Sequence, residues 1–423
     1  MSSNDLKITT ATNKAIKEEK HDRKIAFAII FQFCMLITNY TVKAVFQVNN
    51  PNIRSMISLV FMILVGVLYL KNIRFVLKRI GSFFVLTYAL TGALFLVTML
   101  IYPENNEYLI EASFWLFLIC LPTALYYLAI RNKTIFLDML LLSGYFQMAL
   151  GFMIFISMII TTPTYDMVFS YLLLVPIVIL TYKLVFIKFK FIDGILIILA
   201  IAAILTVGSR GPLLAYLIYI MLLILNYFLK RKINIKALVA MFIAQALFFI
   251  LAFNINELLT ILDKFLFKYG IQSRTLYLLM SDNIDFSTGR LEIFTNTISY
   301  ITQRPILGYG IVGDRVFLNG TYPHNIFLEL IAQFGVAIGG LIISIFVICW
   351  IKGLFFNKNK TEQHLAIIFA GTGLISLFYS GSYLTSSNYW LFMGICISSI
   401  NFRNRFIGNV DAVKKSCEKE LLL

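Results

Sequence analysis

The sequence has 423 residues, of which 60% are hydrophobic and only 13% are charged. Because soluble domains carry about a quarter charged residues, this composition excludes an ordinary soluble domain. Apolar stretches of about 20 residues recur along the chain, and each is long enough to cross a bilayer as a helix. The net charge of +15 is also typical of nucleic-acid-binding proteins, so the positions of the basic residues matter.

The apolar stretches predict an all-α, polytopic integral membrane protein with about 12 transmembrane helices. An N-terminal tail at 1–24 precedes one transmembrane domain at 25–402, and a C-terminal tail follows at 403–423. The predicted spans lie near 25–46, 54–70, 80–101, 109–130, 134–160, 166–187, 190–207, 211–229, 234–253, 324–351, 362–380 and 387–402.

Lysine and arginine residues are unevenly divided between the two sides of the predicted bundle. The two tails and every second loop hold 27 of the 36 basic residues. Since cytoplasmic loops carry the excess of lysine and arginine in multi-pass proteins, both termini are predicted to be cytoplasmic. The basic excess therefore indicates topology and attraction to anionic lipids, and not a nucleic-acid site.

One predicted connection, residues 254–323 on the outer face, is far longer than the others. Connections of this length are usually functional or disordered, and the many Leu, Ile, Phe and Tyr residues here argue against disorder. Residues 257–268 and 289–303 place apolar side chains at helical spacing. We therefore expect amphipathic helices in this loop, lying on the membrane or on the other helices.

Two arginines lie at predicted helix N-termini on the outer side. Arg210 precedes a Gly-Pro pair that opens a span, and Arg290 opens the amphipathic helix at 289–303. A guanidinium beside a helix N-terminus is a favourable diphosphate site. An interfacial arginine can equally reach a lipid phosphate, so chemistry alone leaves both interpretations open.

His324 is the histidine that the topology places on the outer side, directly after Pro323. A neutral imidazole there can take a proton from a sugar hydroxyl, although a histidine at the start of a span is more often structural. Asn325 is a secondary candidate beside it. Glu329 lies about 140° round the helix from His324, so the two do not share a face. Because burying a glutamate in a membrane segment costs free energy, Glu329 is kept as a supporting candidate. Further candidates for anion binding are Arg274, Arg304 and Arg315.

Several of these motifs resemble those of a known family. The runs GRLEIF, PILGYG and PHNIFLELIAQFG, with the earlier Ser209-Arg210-Gly211, are similar to the signatures of the O-antigen ligase/polymerase family. These are bacterial membrane glycosyltransferases that use polyprenyl-diphosphate-linked sugars. The resemblance implies that His324 is the general base and that Arg210 and Arg290 bind the lipid diphosphate.

The resemblance implies polymerisation of polyprenyl-diphosphate-linked repeat units into O-antigen, capsular or exopolysaccharide at the outer face of the bacterial cytoplasmic membrane. One alternative is a ligase that transfers the lipid-linked glycan to lipid A-core or a protein, and another is a flippase or transporter of the same units. A transporter would carry charges in the middle of several spans, and few are present. The family usually shows two glycines separated by two residues after the HN motif, whereas three residues separate Gly335 from Gly339 here. This departure favours a polymerase over a ligase.

The predicted mechanism is metal-independent and uses no cofactor. Two guanidinium groups can stabilise the negative charge that grows on the diphosphate. The outer loops also lack a tight Asp/Glu cluster that would bind a metal ion. The expected partners are a polyprenyl-diphosphate-linked oligosaccharide, membrane lipids, and a chain-length regulator and a flippase of the same pathway. No nucleic acid is expected.

Overall fold

The computed structural model describes residues 3–161, 166–230, 255–268 and 290–400, and within these ranges the regular elements are helices. The span predicted at 234–253 and Arg274 lie outside the described residues. The helices in chain order are α1 (Ser3–Val45), α2 (Pro51–Ile101), α3 (Asn106–Trp115), α4 (Leu121–Ala129), α5 (Lys133–Thr161), α6 (Met167–Phe186), α7 (Phe191–Val207), α8 (Arg210–Lys230), α9 (Ile255–Lys268), α10 (Arg290–Gln303), α11 (Gly313–Phe317), α12 (Ile326–Phe355), α13 (Lys360–Phe369) and α14 (Ser387–Ser399).

In the described part of the chain, six helical runs are long and apolar enough to cross a membrane. They are Ala15–Val45, Pro51–Ile101, Pro103–Ala129, Lys133–Thr161, Met167–Phe186 and Ile326–Phe355. The described part of the chain is therefore all-helical, with the features of a multi-pass membrane protein. A total of about 12 spans and the outer position of residues 254–323 stay predictions.

The helix α2 covers two predicted spans and the loop predicted between them. The sequence predicts spans at 54–70 and 80–101, whereas the structure continues the helix from Pro51 to Ile101 with a kink at Ile80. Lysine and arginine favour helices, so the basic residues between the two spans extend the helix and do not end it. The parts before and after Ile80 are each long enough to cross a bilayer.

The buried core lies between α1, α4, α5, α6 and α14. The helix α1 packs against α2 and α5, α6 packs against α5 and α7, and α14 packs against α4 and α12. A small polar network crosses this apolar core, in which Gln32 donates to Thr123 at 2.9 Å and Tyr69 donates to Gln32 at 2.5 Å. Such interhelical hydrogen bonds help to join helices in lipid, where apolar packing has little hydrophobic driving force.

The helix α12 is broken at Gly335, where the backbone φ is +75°. The backbone N–H groups of Tyr309 and Gly310 donate at 2.9 Å to the carbonyls of Ala332 and Gln333 near the break. A Cβ at position 335 would lie 2.0 Å from a carbonyl oxygen of the loop before Tyr309. This position therefore requires glycine, for its left-handed backbone and for the close approach of the loop.

The short first part of α12 folds back on its second part. The rings of Phe327 and Trp350 lie 6.2 Å apart, whereas their Cα atoms would be roughly 34 Å apart in a straight helix. Gly339 lies against the backbone of Leu330, because a Cβ there would be 2.8 Å from the Leu330 carbonyl oxygen. The continuous span predicted at 324–351 is thus a broken helix.

The helix α10 is the amphipathic helix predicted at 289–303. Thr297 is buried, while Leu291 and Ile298 from the predicted apolar stripe are 64% and 51% exposed. These two side chains therefore do not pack on other described helices. Their exposure favours the membrane over protein as the surface that they face.

Candidate functional site

The start of α8 forms one wall of the candidate site. The helix begins at Arg210, whose backbone the structure describes. Gly211 leaves space for two tyrosines, since a Cβ there would lie 2.5 Å from Oη of Tyr171 and 3.1 Å from Cε2 of Tyr379. Glycine at this position therefore lets both rings approach the N-terminus of α8.

The turn before α8 is fixed by α6. The backbone N–H of Ser209 donates to Oγ of Ser170 at 2.8 Å, and the N–H of Asp166 donates to the carbonyl of Val207 at 2.9 Å. The Ser209 hydroxyl is buried and has no hydrogen-bond partner among the described residues. These contacts set where the α8 N-terminus lies, and with it the backbone of Arg210.

Arg290 is the first residue of α10 and is partly exposed. Its positive charge lies within electrostatic range of Tyr322, His324 and Tyr379. Because Tyr379 also lies against Gly211, Arg290 and the start of α8 approach the same tyrosine. In the part of the chain that the structure describes, no ion pair engages the Arg290 guanidinium.

His324 precedes α12 with a left-handed backbone, at a φ of +54°. Histidine adopts this conformation more readily than most residues, but it is uncommon outside glycine. Asn325 caps α12, since its side chain accepts from the N–H groups of Phe327 at 3.0 Å and Leu328 at 3.2 Å. Asn325 therefore has a capping contact, and His324 is held just outside the helix.

The His324 imidazole is partly buried beside an aromatic ring. Its centroid lies 4.4 Å from that of Tyr322, and its Nδ1 atom is buried without a hydrogen-bond partner within the described ranges. Burial, followed by the positive charge of Arg290, lowers the pKa of His324 to about 4. The imidazole is therefore neutral near neutral pH and is able to accept a proton.

Arg315 lies in a buried ionic cluster. Its guanidinium is 3.1 Å from a carboxylate oxygen of Asp314 and 3.2 Å from one of Glu329, and it donates to the Ser382 hydroxyl at 2.8 Å. Asp314 also accepts from the Gln333 side chain at 2.7 Å. Arg315 and Glu329 are thus committed to each other and to their neighbours, and this geometry favours a supporting role for both.

Arg304, another predicted anion-binding candidate, is exposed and lies beside Tyr309. Its guanidinium lies 4.9 Å from the centre of the Tyr309 ring, a cation–π distance. The Tyr309 hydroxyl in turn donates to the carbonyl of Tyr300 at 3.1 Å. Among the described residues, Arg304 therefore contacts Tyr309, whereas the charge that acts on His324 is that of Arg290.

Sequence reasoning missed the tyrosines of the site. Tyr171 and Tyr379 lie in apolar segments with no local motif. The sequence signal for them is Gly211, because a glycine often marks a place where other groups approach the backbone closely. Among the described residues, no group of three or more His, Cys, Asp or Glu side chains is arranged to hold a metal ion. Metal independence stays a prediction.

Comparisons with known proteins point to the same part of the chain. Residues 195–344 match the family described as O-antigen ligase, and this range includes Arg210, Arg290 and His324. The resemblance predicted from the sequence motifs is confirmed, and the match supports an O-antigen ligase-family protein.

A curated relative adds a second finding. The chain is 32% identical over 97 residues to the ComP-specific O-oligosaccharyltransferase of Acinetobacter baylyi. The aligned segment covers 20% of this chain and 18% of that relative, so the chain matches less than a fifth of the relative's length.

Proposed function

We propose that this protein transfers a glycan from a polyprenyl-diphosphate carrier to a sugar hydroxyl. The observation that carries the proposal is that Arg290 lies within electrostatic range of both His324 and Tyr379, the tyrosine that lies against the start of α8. A neutral imidazole beside a guanidinium without an ionic partner in the described ranges suits a reaction that removes a proton and releases a diphosphate. The family match and the relative's name support glycosyl transfer.

In the proposed reaction, the acceptor hydroxyl attacks the anomeric carbon that joins the donor glycan to its diphosphate. A new glycosidic bond forms as the bond to the diphosphate oxygen breaks, and the hydroxyl proton passes to His324. Arg210 and Arg290 stabilise the negative charge that grows on the diphosphate. The positive end of the α8 dipole acts in the same direction. The products are a longer glycan and the polyprenyl diphosphate.

We propose that the acceptor is a second lipid-linked repeat unit, which makes the protein a polymerase for O-antigen, capsular or exopolysaccharide. The reaction would take place at the outer face of the cytoplasmic membrane, with both termini in the cytoplasm. The three-residue spacing between Gly335 and Gly339 supports this choice, because it departs from the spacing associated with ligases.

A ligase is the second candidate, and the comparisons favour it equally. The matched family is described as O-antigen ligase, and the relative is named as an O-oligosaccharyltransferase specific for ComP. Polymerase and ligase share the donor and the chemistry, so His324 and the arginines do not distinguish them. The final acceptor does.

The test gives purified protein in detergent the lipid-linked repeat unit alone. A polymerase makes a ladder of longer lipid-linked chains, with chelator present as well as without it. His324→Ala is expected to leave single units, because the acceptor hydroxyl then lacks a base. His21→Ala, which changes a histidine stacked on Phe75, is the matched control and should still make the ladder.

Other outcomes would replace parts of the proposal. If single units stay single until lipid A-core or an acceptor protein is added, the ligase assignment holds. If chelator abolishes the ladder, the metal-independent mechanism is wrong. Units that remain unchanged with every acceptor, but cross the bilayer of proteoliposomes, would identify a flippase.

Membrane orientation has its own test. In a variant without native cysteines, Asn319→Cys should react with a membrane-impermeant thiol reagent on intact cells, because this exposed residue lies in the predicted outer loop. Lys358→Cys, exposed in a predicted cytoplasmic loop, should react only after permeabilisation. The reverse pattern would overturn the predicted topology and the outer-face reaction.

A further inference from the structure

Within the described residues, Nδ1 of His324 does not form the hydrogen bond that commonly orients a working histidine. In such residues one ring nitrogen is often bonded to a carboxylate or a carbonyl, and this leaves the other nitrogen for chemistry. Here Nδ1 is buried with no such partner in the described part of the chain. The backbone at φ +54° is also less favourable than an ordinary one. Among the described residues, the ring is held by a different kind of contact.

The Tyr322 ring is the contact that the structure provides. The two ring centroids are 4.4 Å apart and the ring planes are tilted by 57°. Pro323 lies between the two residues, and its fixed φ limits how far they move relative to each other. Because a tyrosine ring carries no negative charge, it can fix the orientation of an imidazole without favouring protonation as a carboxylate would.

Tyr322 is itself held from two directions. The Arg315 guanidinium lies 5.6 Å from the centre of the ring, within cation–π distance. The backbone of Gly381 lies near the Tyr322 hydroxyl and opposes the rise of its pKa that burial causes. The next residue, Ser382, is hydrogen-bonded to both Arg315 and Glu329. The ionic cluster therefore reaches the face of the ring and, through one short segment, its hydroxyl.

We propose that Tyr322 and Arg315 are positioning residues for His324, and that the buried Asp314–Arg315–Glu329 cluster is the rigid base on which Tyr322 rests. This inference rests on the proposed function of His324 as the base. Buried ion clusters are weak evidence for stability, because desolvation offsets much of their attraction. Conformational specificity is their better attested use, and this cluster lies directly behind the ring that contacts His324.

The kinetic test compares two substitutions of Tyr322 in the purified full-length protein. Tyr322→Phe keeps the ring and should retain most of kcat. Tyr322→Leu removes the stack and should lower kcat on the order of tenfold to a hundredfold, because small misplacements of a catalytic group cost this much. The KM for the lipid-linked donor should stay unchanged, since neither variant alters Arg210 or Arg290.

Non-additivity separates positioning from a merely structural effect. In a His324→Ala background, Tyr322→Leu should have no further effect, because there is no imidazole left to orient. Arg315→Lys should show the same fall in kcat and add little to Tyr322→Leu. The inference is wrong if Tyr322→Leu lowers the residual rate of His324→Ala by its full factor, or if its main effect is on the KM.

A chemical readout avoids any dependence on activity. Diethyl pyrocarbonate modifies histidines, and mass spectrometry can follow His324 with His21 as the internal reference. Tyr322→Leu should speed the modification of His324 several-fold, and Tyr322→Phe should not. Equal rates in all three proteins would overturn the inference. If the wild-type protein transfers no glycan but the rates still differ, the positioning role stands and the proposed function falls.

A folding control keeps these results interpretable. Each variant should elute as the wild-type protein does on size exclusion in detergent. If Tyr322→Leu does not, Arg315→Lys carries both the kinetic and the labelling test, since it retains the positive charge but loses the planar fork. An unchanged rate of His324 modification in that variant would equally contradict the inference.

Discussion

Two arginines in different regions of this protein have opposite surroundings. In one region, the side chain of Arg79 is only 5% exposed, forms ion pairs with Asp22 and Glu18, and donates to the Ala129 carbonyl at 2.9 Å. In the other, Arg290 has no ionic partner in the part of the chain that the structure describes. The first arrangement fastens helices together, and the second leaves a cation ready for the charge of a ligand.

Ion pairs like those of Arg79 also join neighbouring helices at Lys133 and Lys183. We call the region that contains these three basic residues and their carboxylate partners the paired end. Lys133 lies 3.8 Å from Glu362, and Lys183 lies 3.2 Å from Asp193. Along α6, Lys183 is about 18 Å from Tyr171, which lies beside the start of α8. The paired end and the candidate site are thus separate along the same helices.

The largest expected effect comes from breaking a buried pair. Arg79→Met leaves Asp22, which is 2% exposed, without its guanidinium, and should destabilise the protein by about 3–5 kcal/mol. The measurement is the thermal unfolding midpoint in detergent. Arg23→Met is the matched control, since Arg23 pairs with Glu19 on an exposed surface at 3.0 Å and should cost about 0.5 kcal/mol or less. Equal midpoints would show that the paired end does not fasten the helices.

The next effect is on activity and leaves stability unchanged. Arg290→Lys keeps the charge but loses the planar fork that grips a phosphate with two hydrogen bonds. We expect transfer to fall about tenfold or more, equivalent to about 1.4 kcal/mol of transition-state stabilisation, and the same direction for Arg210→Lys. Arg304→Lys is the matched control, because Arg304 is exposed and stacks on Tyr309. Normal transfer by both site variants would make these arginines lipid anchors.

Local signals were sufficient to predict much of this arrangement. The Gly-Pro pair after Arg210 marks a helix start, and α8 begins there in the structure. The polar residues before Arg290 predict a second helix start, and they lie outside the described residues. The asymmetric distribution of lysine and arginine separated the two regions before any contact was known. Hydrophobic length predicted the six runs that are long and apolar enough to cross a membrane in the described residues. It divided α2, however, where a kink bends a continuous helix.

The rest depends on contacts between residues far apart in the sequence. Arg315 and Arg290 look alike as residues of one long loop, and only tertiary packing pairs Arg315 with Glu329. Tyr379 comes beside Gly211 through the packing of distant segments, which no periodicity records. The break at Gly335 could not be predicted from the sequence either, because the residues on both sides are equally apolar. The carbonyls that lose their helical partners there accept hydrogen bonds from a loop that precedes α12 in the chain.

The smallest expected effect is on the pH dependence of transfer. Because the pKa of His324 is lowered to about 4, kcat/KM should stay constant from neutral pH down to about pH 5.5 and fall only closer to pH 4. Arg290→Gln removes a positive charge that disfavours the protonated imidazole, so the pKa of His324 should rise and the acid limb should move to higher pH. Burial is the larger cause of the lowered pKa and remains in this variant. In Arg290→Gln, the pKa that governs the fall of kcat/KM at acid pH should therefore stay below the usual histidine value of 6.5. Arg304→Gln should leave the pH dependence of kcat/KM unchanged. If kcat/KM of the wild-type protein already falls with a pKa of 6.5, the imidazole of His324 is not buried as the site requires.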